Sequence, residues 1–254
     1  MADGHILCVF GTRPEAIKLA PVIRAIRSQT RLRLTTCVTG QHREMLAGLL
    51  KLFDIEPQID LQIMRPGQSL SEMTALLLGR LPDVFAQSQP TCVLVQGDTT
   101  SVMATALAAF HDKIPLAHLE AGLRTWDLQA PWPEEMNRRI TTLAAALHFC
   151  PTTAAAENLK REGVPAERIA VTGNTVIDAF VEVRERIEND AALRQACQEQ
   201  FPFLDSQRKL ILVTGHRREN FGKPLAAICR ALVRLSQRDD VQIVYPVHLN
   251  PNGS

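Results

Sequence analysis

Ile6-Leu-Cys-Val-Phe-Gly-Thr-Arg-Pro-Glu-Ala-Ile-Lys18 is the stretch on which the fold turns. Ile6–Phe10 is apolar at every position, the pattern of a short strand covered on both faces. Gly11 then breaks the run. Pro14 stands where a helix begins, a place where its missing N–H costs nothing. Ile17, Ala20, Pro21, Ile23 and Ile26 mark one apolar face of a helix over Pro14–Arg27, with a kink expected at Pro21. A buried strand, a glycine turn and an amphipathic helix make the first half of a parallel βα unit.

The same unit recurs outward from this stretch. Leu34–Val38 precedes a helix near Arg43–Phe53. Leu70–Gln87 is helical, with a break expected at Pro82. Cys92–Val95 precedes a small-residue helix, Thr100–Phe110. Leu116–Leu119 precedes a helix over Pro133–Leu143, and Leu147–Cys150 one over Ala154–Arg161. Strands of four to six apolar residues alternating with helices predict an α/β fold with a parallel sheet. From Ile169 the text changes: Val171-Thr-Gly-Asn174 reads as a crossover into helices at Val176–Ile187 and Ala191–Phe201. Leu210–Thr214, a helix at Leu225–Leu235 and a strand at Gln242–Val247 then open a second βα run. The expected division is 1–172 and 173–254. Two parallel strands are too few for a stable doubly wound sheet, so the second domain is expected to be incomplete in this chain.

Bulk properties narrow the function classes. The 254 residues are 46% hydrophobic and 22% charged, values typical of a globular protein with a real core. With 28 basic against 27 acidic residues the formal charge is +1, which gives no general attraction to nucleic acid or membrane. The six cysteines are scattered, without zinc-ligand spacing, and read as reduced thiols. The N-terminus lacks the form of a signal peptide, and no apolar run approaches a membrane span, so the expected compartment is the cytoplasm.

In parallel α/β sheets, ligands bind beyond the carboxyl ends of strands, and polar residues gather there. Arg13 and Lys18 follow the first strand, where the helix start and its dipole favour an anion; a cap with solvated charges is the plain alternative. There is no GxGxxG and no P-loop. Thr39-Gly-Gln-His-Arg-Glu44 follows the second strand as a polar cluster that also suits a helix start. Asp98 follows Cys92–Val95 and reads either as a helix N-cap or as a general base. Glu120 follows Leu116–Leu119; glutamate is a poor cap there, and Arg124 is its nearest candidate partner. Glu134 and Glu135 fall in a first helical turn, where the dipole alone welcomes acids. His216, directly after Leu210–Thr214 and beside Arg217 and Arg218, has the titration range for proton transfer. Together these residues point to proton transfer on a phosphorylated ligand.

The same residues carry a family resemblance. Gly11-Thr-Arg-Pro-Glu-Ala-Ile-Lys18, Gln41-His-Arg-Glu-Met45, Gly97-Asp-Thr-Thr100, His118-Leu-Glu-Ala-Gly-Leu-Arg-Thr125, Trp132-Pro-Glu-Glu135, Thr172-Gly-Asn-Thr-Val-Ile-Asp178, Gly215-His-Arg-Arg-Glu219 and Pro246-Val-His-Leu-Asn-Pro251 together resemble the bacterial non-hydrolysing UDP-N-acetylglucosamine 2-epimerases. The resemblance implies two Rossmann-like domains of the glycosyltransferase-B type with a cleft between them. It implies interconversion of UDP-N-acetylglucosamine and UDP-N-acetylmannosamine, for polysaccharide biosynthesis, by elimination of UDP to 2-acetamidoglucal and re-addition, without a cofactor or metal. By resemblance Asp98, Glu120, Glu134 and His216 form the catalytic set. Arg13, Lys18, Asp98, Glu120 and His216 contact the nucleotide sugar. Gln41, His42 and Gln68 resemble the region where a second UDP-N-acetylglucosamine regulates the family. A homodimer is implied as well. Family members continue for about another half domain, with a Ser-Gly-Gly loop and an acidic residue that hold uridine and ribose; this chain shows neither. Two other readings stand beside the epimerase: a hydrolysing relative that releases UDP and N-acetylmannosamine, and an inactive fragment that binds sugar nucleotides.

Overall fold

The computed structural model describes residues 4–29, 31–40, 43–65, 67–214 and 223–246. Its contacts divide the chain into two compact units, Met1–Glu185 and Arg186–Ser254.

The first unit alternates strands and helices: β1 (Gly4–Phe10), α1 (Arg13–Arg27), β2 (Leu32–Val38), α2 (Arg43–Leu52), β3 (Ile59–Asp60), α3 (Leu70–Ser88), β4 (Cys92–Gln96), α4 (Thr100–His111), β5 (Leu116–Leu119), α5 (Glu134–Ala144), β6 (Leu147–Cys150), α6 (Thr153–Arg161), β7 (Ile169–Val171) and the start of α7 (Val176–Asn189). The strands form one seven-stranded sheet in the order β3-β2-β1-β4-β5-β6-β7, and every neighbouring pair is parallel. The chain winds outward from β1 in one direction and then returns beside it as β4. That reversal between β1 and β4 is the switch point at which such sheets open a crevice.

Two-sided burial explains the short apolar strands. Leu7, Cys8, Val9 and Phe10 are each at most 1% exposed. Leu7 and Val9 join Val93, Val95, Leu77 and Leu81 in the core on one face of the sheet. Cys8 and Phe10 point the other way, to Leu94, Ala117, Leu19 and Ile23. Successive side chains of a strand alternate faces, so each strand feeds both cores.

Several boundaries differ from the sequence reading, each for a physical reason. Pro82 does not break its helix, whereas α1 runs through Pro21 over the expected range. Leu19, Ala20 and Ile23 pack beside Pro21, and Leu81, Val84 and Phe85 beside Pro82; burial on both sides outweighs one missing hydrogen bond. β3 is only two residues long and β7 only three, too short for any periodicity to announce. The stretch Ile169–Val171, read as the approach to a crossover, is therefore the sheet's last strand. The first unit also runs past the expected limit at residue 172, as far as Glu185. The reason is α7: Ala179 is 1% exposed and sits with Val183 in the core shared with α1, Thr175 Oγ1 donates to the Lys18 carbonyl at 2.6 Å, and Glu182 pairs with Arg24.

The second unit contains the end of α7, α8 (Ala191–Gln200), β8 (Lys209–Leu212), α9 (Lys223–Ser236) and β9 (Val241–Val244). β8 and β9 pair in parallel, with Leu210 opposite Gln242. All six cysteines are free thiols. Among the described residues no helix is long and apolar enough to cross a membrane.

Gly122, just beyond β5, makes a local demand on the fold. Its φ is +85°, and a Cβ there would stand 2.2 Å from the Ala155 carbonyl oxygen. Only a residue without a side chain lets this loop lie against α6. Gly122→Ala is expected to lower the unfolding free energy by at least about 2 kcal/mol in urea titrations. An unchanged midpoint would contradict this packing.

Candidate active site

Of the residues singled out in sequence, Lys18, Asp98 and Glu120 meet at the carboxyl edge of β1, β4 and β5. The loop after β1 is closed from within. Glu15, in the first turn of α1, folds its carboxylate back so that Oε2 accepts the Gly11 and Thr12 amides, each at 2.7 Å. Its Oε1 accepts Thr99 Oγ1 at 2.6 Å. Glu15 is 1% exposed. Burial pushes its pKa up, while the hydrogen bonds from Thr99, Gly11 and Thr12 pull the other way. The sequence reading expects an external anion at this helix start; the Gly11 and Thr12 amides themselves are taken by the chain's own Glu15 carboxyl group. Arg13 is exposed at the first position of α1.

Glu120 occupies the turn after β5 with φ of +64°, a left-handed conformation that non-glycine residues adopt at a cost of roughly 1–3 kcal/mol. Its carboxylate is the hub of the site. Lys18 Nζ donates to both oxygens at 2.7 and 2.6 Å. Gln96 Nε2 donates to Oε2 at 2.5 Å, and Asn174 Nδ2 to Oε1 at 3.3 Å. These donors come from α1, β4 and the turn after β7. Lys18, and not the expected Arg124, is thus the partner of Glu120. The Arg124 side chain is fully buried against Glu162, held by Nε at 2.9 Å and Nη2 at 2.7 Å. That pairing, with Arg124 as its main cause, holds the Glu162 carboxyl below its usual range.

Asp98 follows β4. Thr99, whose Oγ1 accepts from the Val102 amide, is the N-cap of α4. Asp98 is therefore not spent as a cap. Its Oδ2 takes Arg138 Nε at 2.9 Å and Nη2 at 2.8 Å. Asn137 Nδ2 donates to the Asp98 carbonyl at 2.9 Å, and His118 Nε2 lies 2.7 Å from the Gly97 carbonyl. The Gly97 amide bonds the Leu119 carbonyl at 3.0 Å, so the Asp98 and Glu120 turns sit on neighbouring strand ends. Glu134 is the first residue of α5 and is half-buried. Among the described residues no hydrogen bond engages its carboxylate. Its neighbour Glu135 is fully buried. It accepts the Thr125 amide at 3.1 Å, the Trp126 amide at 3.2 Å and Arg138 Nη1 at 3.1 Å.

The structure thus brings Lys18, Glu120 and Asp98 to one sheet edge, with Glu134 at the head of α5. Gln68 is elsewhere: its Oε1 accepts the Arg65 amide at 3.1 Å just before α3. His216, Gln41 and His42 lie outside the described residues. Sequence reasoning missed Gln96, Asn137, Arg138 and Asn174 as site residues. Gln96 carried a signal, a polar side chain ending an apolar strand. Arg138 carried another, the i,i+3 spacing from Glu135. Among the described residues no group of three or more His, Cys, Asp or Glu could hold a metal ion.

Comparison with known proteins gives one answer. A family model described as UDP-N-acetylglucosamine 2-epimerase matches residues 24–254. The chain is 54% identical over 250 residues to a protein of that name from Salmonella typhimurium, covering 98% of this chain and 66% of that protein. It is 52% identical to the Escherichia coli protein of the same name, again over 66% of its length. Among solved structures it is similar to the UDP-GlcNAc 2-epimerase from Neisseria meningitidis bound to UDP-GlcNAc, with a TM-score of 0.90 and 46% identity, covering 98% of this chain and 67% of that one. The chain therefore spans about 66% of the length of the curated relatives it matches.

Two buried histidines give the fold a pH signature. His118 and His148 lie opposite each other on β5 and β6, each 1% exposed. Burial, with nearby arginines, lowers both pKa values from 6.5 to about 4. On acidification the unfolded chain takes up these protons first. Their contribution to stability is complete above about pH 6.5 and is lost as the pH falls towards 4. Glu15, raised in the folded state, contributes the opposite slope. The histidine share is therefore read as the difference between wild type and a His118→Asn, His148→Asn double variant. Denaturant midpoints from about pH 7.5 to about pH 4.5 should fall more steeply in wild type; parallel profiles would contradict the assignment.

Proposed function

The chain belongs to the UDP-N-acetylglucosamine 2-epimerase family, and from that premise we propose that it serves the interconversion of UDP-N-acetylglucosamine and UDP-N-acetylmannosamine. The observation that carries the reading is the pair of carboxylates on adjacent strand ends, Asp98 held by Arg138 and Glu120 held by Lys18. Inverting a stereocentre through a planar intermediate needs a proton removed from one face of the sugar and one returned to the other. Two carboxylates on separate supports suit that requirement.

In this reading a base takes the proton from sugar C2. The electron pair of that C–H bond forms the C1–C2 double bond, and the C1–O bond to UDP breaks, leaving 2-acetamidoglucal. Phosphate oxygen then re-adds to C1 while an acid protonates C2 on the opposite face. The sequence balances without an oxidant, so no nicotinamide is required. Asp98, Glu120 and Glu134 are the proton carriers in the described part of the chain, and His216 joins them by resemblance. Glu134 suits a mobile acid, since no partner among the described residues restrains its carboxylate. Arg13 and Lys18 supply positive charge for the diphosphate, with Lys18 shared between ligand and Glu120. Gln41, His42 and Gln68 are assigned to a regulatory region that takes a second UDP-N-acetylglucosamine. The free thiols and a nucleotide-sugar substrate suit the cytoplasm, and a homodimer is part of the same proposal, supported by the resemblance.

The reading is tested on full-length protein with UDP-N-acetylglucosamine in deuterated water. Conversion to the manno epimer with deuterium at C2 is expected. Free N-acetylmannosamine as the main product would assign a hydrolysing enzyme instead. Asp98→Asn and His216→Ala are each expected to lower turnover by at least ~10²-fold, the usual scale of lost acid–base catalysis. Near-normal rates in both would remove them from the site.

A further inference from the structure

We infer that Arg138 is the positioning residue that aims the Asp98 carboxylate, and that buried Glu135 holds Arg138 in place for that task. The inference rests on the epimerase reading and gives Arg138 and Glu135 functions which that reading does not assign.

The arginine bridges two carboxylates of unlike character. Glu135 has no exposed surface. Its oxygens are fixed by the Thr125 and Trp126 amides, so the loop after β5 determines where they lie. Nη1 of Arg138 is pinned to that fixed carboxylate at 3.1 Å. The remaining edge of the planar guanidinium, Nε and Nη2, then meets Asp98 Oδ2 at 2.9 and 2.8 Å. Both contacts fall on the same oxygen. Among the described residues no protein donor occupies Oδ1, which is left to face a ligand. Asn137 and His118 meanwhile hold the carbonyls of Asp98 and Gly97. The backbone of the turn is thus fixed without Arg138, and the rotation of the carboxylate is what Arg138 adds. A lysine would keep the charge but not the planar fork that joins the two acids.

The test compares wild type, Arg138→Ala, Arg138→Lys and Glu135→Gln in full-length protein, by turnover of UDP-N-acetylglucosamine and by its calorimetric Kd. Arg138→Ala is expected to lose at least ~10²-fold in kcat while Kd changes by less than ~3-fold, because a misaimed group costs rate before it costs binding. Added guanidinium ion at about 50 mM should restore turnover several-fold by refilling the space between the acids. Arg138→Lys should fall between wild type and Arg138→Ala, and Glu135→Gln should lower kcat in the same direction. A folded Arg138→Ala with wild-type kcat would overturn the inference. So would a loss of kcat matched by loss of binding and untouched by guanidinium. Should Arg138→Ala fail to fold, wild-type kcat in Arg138→Lys overturns it instead. A wild-type protein that turns over nothing and exchanges no C2 proton would sink the epimerase reading, and this inference with it.

Discussion

Burial of the parallel sheet on both faces is the constraint from which the rest follows. β1 and β4 send alternate side chains into two separate cores, so neither strand has a face to spare for chemistry. Polar groups inside would need partners that an apolar core does not offer. They collect where the strands end, and the reversal between β1 and β4 makes one stretch of that edge open to a ligand. The position of Asp98, Glu120 and Lys18 is thus a consequence of core packing.

Once gathered at that edge, the charges must compensate one another. Lys18 with Glu120, Arg138 with Asp98 and Glu135, and Arg124 with Glu162 each place a cation against a carboxylate in a partly or fully buried setting. Removing one member of a buried pair typically costs about 3–5 kcal/mol, because the other charge is left uncompensated. The three cations also differ in placement. Arg124 with Glu162 ties the β5 exit to the end of α6. Lys18 and Arg138 stand with their carboxylates at the sheet edge itself. Strain is stored there too: Glu120 and Trp126 both have left-handed backbones, a conformation that the surrounding hydrogen bonds must maintain.

Much of this was legible in the sequence. The alternation of apolar runs and amphipathic helices identified the parallel sheet, because two-sided burial writes itself as unbroken Val, Leu and Ile. Asp98 and Glu120 were legible because they interrupt such runs at their ends. What could not be read was pairing at long range. Local spacing offers Glu120 only Arg124, four residues away, whereas its partner Lys18 lies 102 positions distant. Only the winding of the sheet brings β1 and β5 to either side of β4. β3 and β7 were invisible for a different cause: two or three residues carry no period, and their strand character comes from the neighbour they pair with. Pro82 misled because its helix is held by tertiary burial, which local propensity does not report.

The carboxylates of this edge can be ordered by how firmly they are held, and that order separates scaffold from chemistry. Glu15 and Glu135 are each buried and each receive three donors, including two backbone amides. An acid buried and braced in this way is spent on the fold, and a change in its bonding would break the loop it holds. Among the described residues Glu120 receives its donors from side chains, Lys18, Gln96 and Asn174. Side-chain donors can move where backbone amides cannot, so such a carboxylate is able to change its bonding. Among the described residues Asp98 is held through one oxygen and Glu134 through neither. The sequence places Glu134 and Glu135 side by side in one helical turn, where the dipole argument treats them alike. Burial parts them: one residue of rotation along α5 turns Glu135 into the core as an anchor and leaves Glu134 half-buried, with no partner for its carboxylate among the described residues.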